Sequence, residues 1–297
     1  APVLYSFTTS VAMLLALLLF APSTRGVKAW FHIGSASIQP VELMKLVLIL
    51  VLAKYFSRRH IEIARLRHLV ISGLYVGGAV FLVLLQPDLG SSLILAAIWL
   101  AVVFFSGIRW RHLIIFFLLA AILAVAAWSS LLAPYQKERI TAFFNPYRDP
   151  QGAGYNIIQA MVAAGSGQLF GKGIGYGTQS HLNFLPEPET DFIFAAFAEE
   201  TGFIGAIILL GLFGFLGWRI IAVGTQAQDN FSKLYVLGFA AFMFSQAFLH
   251  IAVNLGLLPV TGIGLPLISY GGSGLITILI GLGILESIRI HARTEIE

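Results

Sequence analysis

The sequence predicts an all-α polytopic membrane protein, because it is very apolar, carries little charge and gathers its apolar residues into long runs. Hydrophobic residues make up 58% of the 297 residues, charged residues make up 11%, and the mean hydropathy is +0.88. Soluble domains carry about 25% charged residues, so this composition excludes a soluble globular enzyme and a disordered chain. The runs are continuous rather than alternating, which argues against a membrane β-barrel.

Eight runs approach the length of about 20 apolar residues that a spanning helix needs. The second run is the weakest candidate, because it is short and carries Glu42, Lys45 and Lys54. The eighth run is interrupted near its start by three glycines. The predicted spans are residues 3–21, 41–56, 68–86, 90–107, 112–133, 203–222, 234–254 and 266–288.

Arginine clusters in the short loops orient these spans within one integral-membrane domain, residues 1–297. Arginines follow the second, fourth and eighth spans, and Arg219 stands at the end of the sixth, so all four positions fall on one side, which the positive-inside rule assigns to the cytoplasm. On the opposite side, residues 134–190 form a loop of 57 residues, and so long a loop is seldom kept without a function. Within it, residues 155–164 predict a short amphipathic helix that lies on the membrane or dips into it.

Asp191 stands where this outer loop enters the apolar phase, just before the run Phe192–Phe194. Ionisable groups at such a depth are costly and usually face a cavity. A carboxylate in this position suits a general base. It also suits a helix cap, since Thr190 or Asp191 could begin a helix at residue 192, and the two roles are compatible.

Other charged residues near the apolar runs have both functional and structural interpretations. Glu199 follows Asp191 by eight residues, which places both near the same face of a helix, so Glu199 and its neighbour Glu200 could line a polar cavity. We favour the alternative, in which the two acids mark an interfacial break before the next span begins at Phe203. Glu42 and Lys45 are three residues apart and can pair on one helix face, where a structural ion pair is the simpler interpretation. The sequence QPDLG at 86–90 is a turn that could also place its aspartate at the mouth of a cavity.

The run Gly165–Gly177 is rich in glycine but matches neither a P-loop nor a dinucleotide-binding fingerprint. Its backbone N–H groups and Lys172 could cradle a phosphate, or the run could be a structural turn. The chain has no cysteine, which excludes disulfides and thiol nucleophiles, and its seven histidines lack metal-ligand spacing. The net charge of +4 then reflects loop orientation and anionic membrane lipids rather than nucleic acid.

Taken alone, these residues fit a transporter or an enzyme that acts on a lipid-linked, phosphate-bearing substrate at the outer leaflet. Six segments together resemble the SEDS family (shape, elongation, division and sporulation), which are bacterial membrane glycosyltransferases that polymerise lipid II into peptidoglycan. The sequence GTQS at 177–180 is closer to the elongation members of the family than to the division members. The resembling segments are Trp30–Lys45, Gln86–Gly90, Arg139–Pro150, Gly154–Ser180, Phe184–Gly205 and Leu258–Gly274.

The resemblance implies a catalytic arrangement and ten spans, so two spans are expected before Ala1. Asp191 matches the family's essential aspartate, which would act as general base on the acceptor sugar hydroxyl while undecaprenyl pyrophosphate leaves in one inverting displacement. Arg139, Arg148 and Lys172 are the candidates for binding the pyrophosphate, since cations stabilise developing phosphate charge. A divalent cation, Mg²⁺ or Mn²⁺, could share that task.

The resemblance also implies partners and a location. The substrate is lipid II, an undecaprenyl-pyrophosphate-linked disaccharide peptide, and the protein partner is a class B penicillin-binding protein with a transpeptidase domain. The implied location is the bacterial inner (plasma) membrane, with the active site on the extracytoplasmic side. A flippase for the lipid-linked precursor and a non-catalytic scaffold for the transpeptidase are the alternative functions.

Glu42 and Lys45 match a family Glu-Lys pair, interpreted as structural or cavity-lining. The candidates for further substrate contacts are Asp88, Glu187, Thr190 and Ser269.

Overall fold

The fold comes from a computed structural model, which describes residues 2–21, 29–33, 36–58, 66–108, 111, 114–115, 118, 134–152, 154–182 and 184–294. The long helices are α1 (Pro2–Phe20), α2 (Pro40–Ser57), α3 (Leu66–Leu85), α4 (Leu89–Phe105), α8 (Ile193–Gln226), α9 (Asn230–Asn254) and α10 (Gly272–Thr294). The loop at 134–190 contains the short helices α5 (Pro134–Phe144), α6 (Tyr155–Ser166) and α7 (Thr178–His181) and a 3-10 turn at Pro146–Arg148. Two short strands, β1 (Phe31–Ile33) and β2 (Ala36–Ile38), form a hairpin.

The predicted class, an all-α polytopic membrane protein, is confirmed. Five of the described helices are long and apolar enough to cross a membrane, and they are α1, α3, α8, α9 and α10. Helix α4 is apolar but shorter, and α2 carries the three charged residues already noted. Seven of the eight predicted spans thus coincide with helices, and the span at 112–133 lies largely outside the described residues.

Two of the helix boundaries differ from the prediction. The span predicted at 203–222 is the second part of α8, which already begins at Ile193. The helical path breaks at Gly202 (φ 71°, ψ −168°), so the break expected before Phe203 is confirmed. The last helix begins at Gly272 rather than at residue 266, and Gly274 lies inside it instead of interrupting it.

The chain divides into two compact units, and α2 is the central helix of the first unit. It packs against α1, α4 and α10, and it is buried on nearly all of its faces. A helix surrounded in this way must be apolar all round, as the sequence LVLILVLA at 46–53 is. The first unit comprises Ala1–Ile108, Gly214–Gln246 and Gly271–Glu297.

The hairpin that precedes α2 in the first unit is absent from the sequence prediction. Phe31 pairs with Ile38 in antiparallel register. Ser273 in the first turn of α10 ties the end of the hairpin down, because its Oγ accepts the N–H of Gln39 at 3.1 Å and donates to the carbonyl of Ser37 at 2.9 Å. Strands of three residues are too short to show an alternating pattern, which is why the sequence does not reveal them.

The second unit comprises Arg109–Phe213 and Ala247–Tyr270, and one of its cores fixes the start of α8. The amphipathic helix predicted at 155–164 is present as α6, and its predicted contact with the membrane stays a prediction. Its buried alanines, Ala160 and Ala163, pack in one cluster with Phe192 of the turn before α8. The apolar face of α6 therefore lies against protein, and the small alanine side chains leave room for the phenylalanine ring.

Candidate functional site

Asp191 lies in the tight turn that leads into α8. The carbonyl of Glu187 closes this turn by accepting the N–H groups of Thr190 and Phe192, both at 3.2 Å. Phe192 is 2% exposed and anchors the turn, whereas Asp191 beside it is only partly buried. The Oδ2 atom of Asp191 lies 3.8 Å from the place where a Cβ on Gly262 would stand. The carboxylate is thus held on a fixed backbone beside a residue that lacks a side chain.

Asn254 at the end of α9 binds the backbone of Asp191 and the backbone of the first turn of α8. Its Oδ1 accepts the N–H of Ala195 in the first turn of α8 at 2.9 Å. Its Nδ2 donates to the carbonyl of Asp191 at 3.1 Å and to the carbonyl of His250 at 2.8 Å. Because Asn254 is fully buried, its amide group uses both ends for these bonds, and the Asp191 backbone is positioned by a residue 63 positions away.

His250 binds the same end of α8, one turn before Asn254 on α9. Its Nδ1 lies 2.7 Å from the carbonyl of Ile263, and because a carbonyl only accepts, Nδ1 carries the proton. Its Nε2 is then free to accept the N–H of Phe194, at 3.4 Å. Both bonds therefore require a neutral imidazole protonated on Nδ1.

These two side chains are the functional residues that sequence reasoning missed. The sequence predicts that Thr190 or Asp191 caps a helix starting at residue 192. In the structure, α8 begins at Ile193. Two N–H groups of its first turn, those of Phe194 and Ala195, donate to His250 and Asn254. The available signal was a pair of polar residues four apart in a mainly apolar stretch at the end of the helix, since such residues share one face.

Hydrogen bonds join the segment Gly262–Tyr270 to the turn that carries Asp191. The hydroxyl of Ser269 donates to the carbonyl of Thr190 and accepts the N–H of Leu265, both at 2.7 Å. The N–H of Tyr270 donates to the carbonyl of Glu189 at 2.9 Å. Ser269 therefore has a clear structural role, and its predicted substrate contact, like that of Thr190, stays a prediction.

The cations predicted to bind pyrophosphate have different surroundings. Arg148 is exposed in the 3-10 turn at the end of α5, and Glu187 is exposed as well. Arg139 belongs to α5, but its side chain lies outside the described residues. Within the described part of the chain, no group of three or more His, Asp or Glu side chains is placed to hold a metal ion.

Lys172 lies in the glycine-rich run and pairs with the carboxylate of Glu199, a buried residue of α8. Its Nζ is 2.7 Å from Glu199 Oε1, and the lysine side chain is 29% exposed. The same carboxylate accepts from Thr178 Oγ1 at 3.1 Å and from the N–H groups of Gln179 at 3.0 Å and Ser180 at 3.3 Å. Lys172 is therefore paired with a carboxylate of the protein itself, and its predicted contact with a phosphate stays a prediction.

The predicted ion pair of Glu42 and Lys45 is formed in the first unit. Lys45 Nζ lies 2.7 Å from Glu42 Oε1 and 3.1 Å from Gln246 Oε1. It also lies 5.4 Å from the centre of the Phe242 ring, on its face. Lys45 is fully buried, and a buried ammonium needs such partners because desolvation is costly. This geometry supports the structural interpretation of the pair.

Asp88 caps α4 in the turn between α3 and α4, also in the first unit. Its Oδ1 accepts the N–H of Ser91 at 2.9 Å, and its Oδ2 lies 3.4 Å from Gln39 Nε2. Burial raises the pKa of Asp88 above its ordinary value, while the hydrogen bonds to Ser91 and the charge of Lys45 act in the opposite direction. The predicted turn is present, and the predicted role of Asp88 in substrate binding is a separate matter that stays a prediction.

The fold and these sites define a class of polytopic α-helical membrane proteins. In this class a carboxylate, here that of Asp191, lies just before a helix that is broken, here at Gly202. Residues 2–294 match the FtsW/RodA/SpoVE family of cell cycle proteins, and the chain belongs to this family. The SEDS family predicted from the sequence is thereby confirmed.

Named relatives and solved structures support the same assignment. The peptidoglycan glycosyltransferase MrdB of Escherichia coli (strain K12) is 39% identical over 289 residues, which cover 97% of this chain and 78% of the relative. The stage V sporulation protein E of Bacillus subtilis (strain 168) is 38% identical over 271 residues, covering 90% and 73%. The crystal structure of RodA, the rod shape determining protein of Thermus thermophilus, matches with a TM-score of 0.69 at 34% identity, covering 96% and 76%. A structure of a peptidoglycan synthase complex that coordinates polymerization and crosslinking matches with a TM-score of 0.81 at 37% identity, covering 97% and 80%.

Proposed function

We propose that this protein is a peptidoglycan glycosyltransferase that polymerises lipid II into glycan strands during cell-wall elongation, with Asp191 as the general base. The observation that carries this proposal is the position of Asp191, a partly buried carboxylate whose backbone is fixed by Asn254 and whose Oδ2 lies beside Gly262. The names of the family relatives, peptidoglycan glycosyltransferases among them, supply the reaction class.

In this proposal one displacement forms the glycosidic bond. Asp191 takes the proton of the acceptor sugar hydroxyl, and the hydroxyl oxygen attacks the anomeric carbon of the donor. The bond from that carbon to the pyrophosphate oxygen breaks, and undecaprenyl pyrophosphate leaves with the electron pair. A single displacement inverts the α-linked donor to a β-linked product. Among the predicted phosphate-binding cations, exposed Arg148 is proposed to bind the leaving pyrophosphate, since Lys172 pairs with Glu199.

The partner and the location belong to the same proposal. A class B penicillin-binding protein is the proposed partner, and its support is the similarity of this chain to a subunit of a peptidoglycan synthase complex. The loop that carries Asp191 is proposed to face the extracytoplasmic side of the plasma membrane, because the arginine clusters of the short loops fall on the other side.

Polymerisation of purified lipid II tests the proposal directly. The protein in detergent is assayed with and without its penicillin-binding partner, as wild type, Asp191→Ala and Asp191→Asn. Asp229→Asn is the matched control, because Asp229 is an exposed acid that caps α9 through the N–H of Ser232 at 3.0 Å, and asparagine caps equally well.

Polymer from the wild type and from Asp229→Asn, with none from folded Asp191 variants, is the expected result. Full polymerisation by Asp191→Asn would assign the base to another group. Transfer of lipid II across vesicle membranes without any polymer would instead identify a flippase, and absence of both activities with retained partner binding would identify a scaffold.

A further inference from the structure

The glycine loop, residues 165–177, repairs the break in α8 at Gly202. In an unbroken helix the N–H groups of Phe203 and Ile204 would bind the carbonyls four residues earlier. Here they donate to two carbonyls of the loop, those of Gln168 at 2.8 Å and Leu169 at 3.2 Å. The loop therefore supplies the acceptors that the second part of α8 has lost.

The exchange is reciprocal on the other side of the break. The carbonyls of Glu199 and Glu200, which lose their helical donors, accept the N–H groups of Lys172 and Gly173, both at 3.0 Å. The four backbone groups of these two lost helical bonds are thus satisfied by one six-residue stretch of the loop. Such full satisfaction is what a broken helix needs wherever water is scarce, as at membrane depth.

Glycines allow this close approach. A Cβ on Gly202 would lie 2.3 Å from the backbone nitrogen of Gly171. A Cβ on Gly171 would lie 2.1 Å from the carbonyl oxygen of Glu200. Both glycines also have positive φ values, 71° and 78°, which other residues rarely adopt. The contact between the loop and the helix therefore depends on glycine at both of these positions.

The length of α8 places this contact at the edge of the hydrocarbon. The sixteen apolar residues 203–218 cover about 24 Å, whereas the hydrocarbon core is about 30 Å thick. Arg219 marks the far end, because arginine belongs at the interface. About four more residues are needed on the near side, which brings residues 199–202 and the loop bonded to them to the boundary of the core.

Four exposed side chains of the glycine loop are large and mainly apolar, and its exposed polar residues are Gln168 and Lys172. Leu169 is 59% exposed, Phe170 80%, Ile174 83% and Tyr176 75%. Lys172 is the sole charged residue of the sequence between positions 165 and 180, and its ammonium pairs with Glu199. On the helix, the exposed residues that follow the break are also apolar, with Phe203 57% and Ile208 59% exposed. The loop and the part of α8 that follows the break thus both expose large apolar side chains.

We propose that the glycine loop is a membrane-inserted segment, whose side chains Phe170 and Ile174 contact the acyl chains of the lipid leaflet on the side of Asp191. The loop closes the break in α8 with its backbone and faces the bilayer with its side chains. This inference concerns membrane contact, so it does not rest on the proposed glycosyltransferase activity.

Spin labels on single cysteines test this placement, and the natural absence of cysteine makes the labelling specific. Phe170→Cys and Ile174→Cys are prepared in the full chain, labelled and reconstituted in lipid nanodiscs without a partner. Ile208→Cys on α8 is the lipid-facing control, and Gln151→Cys, exposed elsewhere in the outer loop, is the aqueous control. Power saturation then compares collisions of each label with oxygen, which concentrates in lipid, and with a water-soluble nickel chelate.

We expect the oxygen-to-nickel ratio at residues 170 and 174 to match that of Ile208→Cys and to exceed that of Gln151→Cys several-fold. A ratio equal to that of Gln151→Cys would overturn the proposal, because the loop would then face water. Low collision rates with both reagents would also overturn it, since the side chains would then be covered by protein. Unchanged elution and thermal unfolding of the labelled variants show that each comparison concerns folded protein.

Discussion

Asn254 donates to the carbonyl of Asp191 at 3.1 Å while accepting the N–H of Ala195 at 2.9 Å. One buried amide therefore joins the candidate base to the first turn of α8 and joins both to the end of α9. The side chain of Asp191 projects from a backbone whose position depends on a residue remote in the sequence. We consequently class Asn254 as a positioning residue, and its effect on the reaction should be visible without any contact to substrate.

We expect Asn254→Ala to slow lipid II polymerisation and to lower the free energy of unfolding by about 1–3 kcal/mol, because buried backbone groups at Asp191 and Ala195 lose their partners. The rate should fall through kcat more than through KM. The acid limb of the pH–rate profile, which reports the ionisation of the base, should also shift. Assays of polymer formation across pH, together with thermal unfolding in detergent, measure these effects.

The matched control for Asn254→Ala is Ala252→Gly on the same helix. Ala252 is 3% exposed, and a glycine in a helix costs about 1 kcal/mol without removing any polar bond. It should lower stability and leave the pH–rate profile in place. If the two variants changed the profile equally, Asn254 would have only a structural role.

Gly202→Ala should destabilise the protein strongly, because it disrupts the exchange of hydrogen bonds between α8 and the glycine loop. The positive φ of 71° alone makes a side chain unfavourable by about 1–3 kcal/mol. The new Cβ would also lie 2.6 Å from the carbonyl oxygen of Leu169. Thermal unfolding of the purified variant, with its yield of monodisperse protein, measures the effect.

Gly211→Ala in the same helix is the control for this substitution. Among the described residues, no atom outside its own helical turns lies within 4 Å of the position of its Cβ, so alanine there should be neutral or stabilise by about 0.5–1 kcal/mol. Equal stability of the Gly202 and Gly211 variants would show that the break at Gly202 is not enforced by the loop.

The membrane class, the helices and the break before Phe203 could be predicted from the sequence, because the length of an apolar run and the acids Glu199 and Glu200 before it are local signals. The role of Glu199 could not, since its partners Lys172 and Gln179 reach it only when the glycine loop folds back onto α8. His250 and Asn254 escaped for the same reason. Their four-residue spacing places them on one face of α9, but it does not reveal the distant backbone to which they bind.

Asp88 should make the stability of the protein depend on pH in a direction that its burial sets. Its pKa is raised in the folded state, chiefly by desolvation, so the unfolded chain releases this proton at a lower pH than the folded protein does. The contribution of Asp88 to stability is therefore most favourable below its unfolded pKa. It declines as the pH rises through the window up to the raised folded pKa, and it is constant above that window.

Asp88→Asn isolates this contribution, because the amide oxygen can still accept the N–H of Ser91 while the ionisation is removed. We expect the variant to gain stability relative to the wild type as the pH rises through the acidic range, and to keep that gain at neutral pH. Thermal unfolding of both proteins between about pH 4 and pH 8 measures the difference. Asp88 also experiences two opposed charges, Lys45 and Glu42. If the wild type instead became the more stable protein as the pH rose, the attraction of Lys45 would outweigh desolvation, and the carboxylate would be held ionised in the folded state.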